Sequence, residues 1–90
     1  MNHQLETDYA GATLRLDYSD PAEVHLYING VHRDEAKSDS SNITLRLASP
    51  LQTGYEQHEF IEAIASYTPT SISVSLSSAD QLIAEQQVHR

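Results

Sequence analysis

Strict alternation of apolar and polar positions is the first feature of the chain. Ala12-Thr13-Leu14-Arg15-Leu16-Asp17-Tyr18 repeats with a period of two, as a half-buried β-strand does. Ser19-Asp20-Pro21 then supplies turn chemistry. Val24-His25-Leu26-Tyr27-Ile28 and Val31-His32-Arg33-Asp34-Glu35 flank Asn29-Gly30, a dipeptide that accepts two positive φ angles and so predicts a two-residue hairpin. With that loop, Ile28 faces Val31, Tyr27 faces His32, Leu26 faces Arg33 and His25 faces Asp34. One side of the hairpin is then core, made of Val24, Leu26, Ile28 and Val31. The other carries His25, Tyr27, His32 and Asp34.

Ala36 to Ser41 is polar and predicts a loop, and Asn42 to Ala48 alternates again until Pro50. From Thr53 the period changes. At 100° per residue Phe60, Ile61, Ile64, Ala65 and Tyr67 share one arc, and Glu56, His58, Glu59, Glu62 and Ser66 the other. As a strand, the face His58, Phe60, Glu62, Ile64, Ser66 has no clear character. A helix over about residues 54–67 is therefore expected, with Thr53-x-x-Glu56 as a capping box and Pro69 as its stop. Ser71 to Ser77 alternates without exception, with serine on the wet side. The period of two continues through residues 81–88, although Leu, Ala, Glu and Gln there also suit a helix. The order ββββ-α-ββ predicts an α+β domain, an antiparallel sheet with one amphipathic helix on one face. An all-β sandwich is the alternative if the helix does not form.

Ninety residues suffice for a single domain with a thin core. No repeat or linker divides it, so 1–90 is expected to be one unit, with residues 1–8 frayed because they lack periodicity. There are no cysteines, so neither disulfides nor thiolate metal sites contribute. No run of about 20 apolar residues offers a membrane span, and the N-terminal residues do not resemble a signal peptide, so a cytoplasmic protein is expected. Asn42-Ile43-Thr44 fits the glycosylation pattern by chance. Charge changes the picture most: thirteen acids against five bases give a formal net charge of -8. Such a chain repels nucleic acid and anionic membrane and is attracted to basic surfaces.

Catalytic signals are sparse. His58-Glu59 begins the zinc-protease pattern His-Glu-x-x-His, but position 62 is Glu. No serine sits in a Gly-x-Ser-x-Gly elbow, and three scattered glycines cannot build a phosphate loop. No enzyme and no cofactor is expected. On the expected helix, Glu56, Glu59 and Glu62 form a carboxylate stripe with Cβ spacings of about 5–6 Å. Glu62 lies mid-helix, where the dipole does not favour an acid, which points to a basic partner. His25, His32 and Asp34 on the hairpin are the candidate metal ligands. The sequence thus predicts a non-catalytic protein-binding module, in its strongest form a small acidic inhibitor or decoy that occupies a nucleic-acid-binding surface of its partner. The alternative is a small-molecule or metal-binding domain using the hairpin face. A monomer or small homo-oligomer is expected.

Overall fold

The computed structural model describes residues 2–54 and 57–90, apart from the side chains of residues 53, 54 and 57. Alternation runs through almost all of it. Eight strands form in sequence order: β1 (Asn2–Tyr9), β2 (Ala12–Ser19), β3 (Glu23–Ile28), β4 (Val31–Lys37), β5 (Ile43–Gly54), β6 (Gln57–Tyr67), β7 (Ser71–Ser78) and β8 (Gln81–His89). They make two antiparallel meanders, β1-β2-β3-β4 and β5-β6-β7-β8. The inner faces of the two share one core. Leu14, Leu16, Tyr18, Val24, Leu26 and Ile28 come from the first sheet, and Leu47, Ile61, Tyr67, Ile72, Val74 and Leu76 from the second. Each large apolar side chain so buried contributes about 1.5–3 kcal/mol of transfer free energy. No helix among the described residues is long and apolar enough to cross a membrane.

Three hairpins close with two-residue loops whose φ angles are both positive: Ala10-Gly11 (51° and 80°), Asn29-Gly30 (52° and 79°) and Ala79-Asp80 (50° and 64°). This is the backbone of a type I′ turn, whose twist matches that of the strands it joins. The Asn29-Gly30 hairpin forms as its sequence predicts. Its tip is tied to β2, since Thr13 N donates to Asn29 Oδ1 at 2.9 Å and Asn29 N donates to Thr13 O at 2.8 Å.

The expected α+β fold is overturned, and the all-β alternative is the architecture found. Residues 57–67 are strand β6, paired with β5 on one side and β7 on the other. The face that decides the matter is the one opposite the mixed set: Ile61, Ala63, Ala65 and Tyr67 are buried and point inward. Ala63 and Ala65 suit either period by size, and burial between two partner strands selects the strand. The N-terminal segment expected to fray is β1, paired with β2 from Asn2↔Ser19 to Tyr9↔Ala12. Its inward residues His3, Leu5, Thr7 and Tyr9 are half-buried, as at a sheet edge. β5 does not end at Pro50 but continues through it, pairing Pro50 with Phe60. Because β5 is an edge strand, a missing N–H is tolerated where it faces away from β6. The ambiguous last element is strand β8, held against β7.

Polar groups join the sheets at their margins. Tyr18 Oη on β2 donates to Gln86 Oε1 on β8, and Tyr67 Oη on β6 donates to Ser19 O at 2.8 Å. At one end Arg90 forms a clasp: its Nε and a terminal nitrogen donate to both oxygens of Asp20 at 3.0 and 2.6 Å. Its other terminal nitrogen donates to Ser41 O and Thr68 O, both at 2.8 Å. One guanidinium thereby holds the β2–β3 turn, the β4–β5 connection and the β6–β7 turn. The Arg90 hydrogen bonds keep the Asp20 carboxyl below its ordinary range.

Candidate functional site

The outer face of the first sheet carries the densest set of chemically capable side chains. Strand alternation aims Arg15 and Asp17 of β2, Glu23, His25 and Tyr27 of β3, and His32, Glu35 and Lys37 of β4 to that side. They form a continuous row. The Arg15 guanidinium lies 4.1 Å from the Tyr27 ring centroid, and its Nε is 3.1 Å from Asp17 Oδ1. Tyr27 meets His32 edge-on at 5.2 Å, and His32 and His25 have ring centroids 5.3 Å apart. His25 Nδ1 is 3.1 Å from His32 Nε2 and 3.5 Å from Glu35 Oε2. On the far side of the same ring, His25 Nε2 lies 2.7 Å from Glu23 Oε2, and this contact holds the Glu23 carboxyl below the usual carboxylate range. An open depression bordered by Asn2, Gln4, Asp17, Ser19, Glu23 and His25 adjoins the row.

Two of the three predicted metal ligands meet here and the third does not. Past Tyr27↔His32 the β3–β4 register shifts, pairing Leu26 with Asp34 and His25 with Glu35. A β-bulge takes up Arg33 as the extra residue. Every residue beyond it is displaced by one, so Glu35 stands where Asp34 was expected. Asp34 turns to the opposite side, where its Oδ2 accepts from Ala48 N of β5 at 3.1 Å and its Oδ1 from Glu35 N at 2.9 Å. That carboxylate satisfies the edge of the second sheet and is not available to the histidines.

The helix expected to align a carboxylate stripe of Glu56, Glu59 and Glu62 is a strand over residues 57–67, and Glu59 and Glu62 lie on its opposite sides. Glu56 lies outside the described residues. Glu59 is half-buried at the margin of the core, where its Oε1 accepts from Tyr9 Oη at 2.9 Å and from Ser78 Oγ at 3.3 Å. The hydrogen bond to Glu59 raises the Tyr9 pKa. Glu62 is three residues on and therefore on the other side of β6, exposed beside Ser77 of β7. In a strand, odd spacing separates side chains that a helix would bring together.

The outer face of the second sheet is of another kind. Ser73, Ser75 and Ser77 of β7 lie beside Ser66, Ile64 and Glu62 of β6 and, on the other side, Gln87, Glu85 and Leu82 of β8. Among the described residues, Phe60 and Leu82 are the exposed large apolar residues of this sheet. Comparison with protein-family models, with curated proteins and with solved structures gives no match.

Proposed function

We propose that the protein is a non-catalytic binding module that docks on a basic protein surface through the acidic outer face of its first sheet. What carries this reading is the way the molecule uses its cations. Of five basic residues against thirteen acids, two lie on this face, Arg15 held between Asp17 and Tyr27 and Lys37 opposite Glu23, and Arg90 is held elsewhere by Asp20 and two carbonyls. Glu6, Asp8, Glu23 and Glu35 remain exposed around the perimeter of the face. A four-stranded surface edged by carboxylates fits a lysine- or arginine-rich partner surface, including one that otherwise holds nucleic acid phosphates. This face takes over the role first assigned to Glu56, Glu59 and Glu62, and the chain is not expected to contact nucleic acid or membrane directly.

The test is charge reversal on one face against the other. Glu6→Arg with Asp8→Arg changes the first sheet, and Glu62→Arg with Glu85→Arg makes the same change on the second. Wild type and the second-sheet variant are expected to recover a common partner from the native host, and the first-sheet variant to lose it. The recovered complex is expected to weaken steeply between low and moderate salt, because the attraction between exposed charges is screened. Equal recovery by both variants, or binding indifferent to salt, removes the proposal.

A further inference from the structure

We infer that His25, His32 and Glu35 form a zinc-class divalent metal site on the β3–β4 hairpin, with Glu23 orienting the His25 ring. This goes beyond the docking proposal and stands independently of it. Three ligand atoms converge from two adjacent strands: one each from His25, His32 and Glu35 lie within 4.8 Å of one another. Two nitrogens each about 2.0–2.1 Å from a tetrahedral zinc are about 3.3 Å apart by trigonometry. The separations of 3.1 Å between the imidazole nitrogens and 3.5 Å from His25 Nδ1 to Glu35 Oε2 bracket that value. The side chains therefore need little rearrangement to close on an ion.

The second observation concerns the His25 tautomer. Glu23 Oε2, 2.7 Å from His25 Nε2, acts only as an acceptor when ionised, so it places the ring proton on Nε2 and leaves the Nδ1 lone pair aimed at His32 and Glu35. A carboxylate behind a ligating histidine is the usual arrangement in zinc proteins and raises the basicity of the ligand. Without metal, His32 Nε2–H donates to that lone pair. With metal, the ion takes the proton's place and His32 carries its proton on Nδ1. Two imidazoles and one carboxylate suit zinc, cobalt or nickel and not calcium or magnesium, which take oxygen ligands. His32 and Glu35 are exposed, so solvent or a partner's side chain can supply the fourth ligand.

The β-bulge builds the site. Without the extra residue at Arg33, Glu35 would project inward and Asp34 outward. The bulge also separates this site from Asp34, which stays bonded to Ala48.

Titration of the full chain with zinc chloride, followed by ¹H–¹⁵N correlation of the imidazole nitrogens, tests the inference. The expected result is a shift of His25 and His32 that saturates near one equivalent, with Nδ1 of His25 and Nε2 of His32 as the coordinating atoms. His3, His58 and His89 are expected to stay in place. Glu23→Gln, which touches the ring and not the ion, should weaken binding by about 10–100-fold, and His25→Gln or His32→Gln by more. His58→Gln should leave it unchanged. Absence of any shift at equimolar zinc overturns the site, as does equal weakening by His25→Gln and His58→Gln. All these positions are outside the core, and a circular dichroism spectrum matching wild type verifies folding of each variant. Glu6 and Asp8 are not in the cluster, so this test and the docking test fail separately.

Discussion

The two sheets are alike inside and unlike outside. Each is a four-stranded meander, and each presents leucine, isoleucine and one buried tyrosine inward, Tyr18 from the first and Tyr67 from the second. Outside, the first sheet carries side chains that touch one another from Arg15 through Tyr27 and His32 to His25 and Glu23. The second carries serines with Arg46, Glu62, Glu85 and Gln87, interrupted by Phe60 and Leu82. Because a β-strand assigns alternate residues to opposite faces, the requirements of the core fix one set and leave the other free. The proposed metal ligands and the acidic perimeter both occur where packing does not dictate the residue.

The sharpest way to break the internal likeness is to cut each inner face at an equivalent depth. Leu26 and Leu76 are both 0% exposed. Leu26→Ala and Leu76→Ala should each cost about 2–5 kcal/mol in urea denaturation. Both should do so in one cooperative transition, since the two sheets share a core. Two transitions, or loss confined to one variant, would show that the sheets fold as separate units.

A smaller effect separates Glu59 from Glu62. Glu59→Ala removes the acceptor shared by Tyr9 Oη and the buried Ser78 Oγ, and the hydrogen bond lost by Ser78 costs about 1 kcal/mol. Glu62→Ala alters an exposed position and should stay within about 0.5 kcal/mol. Equal costs would restore the two glutamates to one surface. Their separation also shows where the sequence was readable. β2, β3 and β7 alternate with leucine, valine or isoleucine inside, so the period of two is unmistakable there, whereas Val31 of β4, expected in the core, is 54% exposed. In β6 the period is obscured, because its inward set contains Glu59 and two alanines while its outward set contains Phe60 and Ile64. The helical arc of Phe60, Ile61, Ile64, Ala65 and Tyr67 and the mixed strand face from His58 to Ser66 both point to a helix. β1 is not legible in the sequence because an edge strand buries little and tolerates His3 and Thr7 on its inner side. His25 and His32 followed from the Asn29-Gly30 turn. Glu35 did not, since the bulge at Arg33 depends on strand twist and on the bond from Asp34 to β5, neither of which is written locally.

Turn residues offer a gain of smaller size. Ala10 and Ala79 hold φ of 51° and 50°, a region that crowds Cβ against the backbone. Ala79→Gly relieves this while adding chain entropy to the unfolded state, and the balance should favour folding by about 0.5–1 kcal/mol. The same change at Ala84, which lies within β8, should destabilise. A gain at Ala84 or a loss at Ala79 would contradict the turn assignment.

The smallest effect tests whether the Arg90 clasp joins the ends of the two sheets in solution. Asp20 is partly exposed, so water and salt screen the pair and its contribution is modest. Its sign is nevertheless fixed. The Arg90 hydrogen bonds lower the Asp20 pKa in the folded state, whereas the unfolded chain keeps an ordinary value of about 3.9. Above that value the carboxylate is charged in both states and the stabilisation is fully present. As pH falls through about 4 and on toward the lowered folded value, the unfolded state takes up the proton first, and stability is lost. Urea midpoints measured from pH 6 to pH 3 should decline, and Asp20→Asn should reduce the decline and lower the plateau at pH 6. A variant whose midpoint equals wild type at pH 6 and falls in parallel with it would show that Arg90 is held by the carbonyls of Ser41 and Thr68 alone, leaving the first sheet's turn unattached.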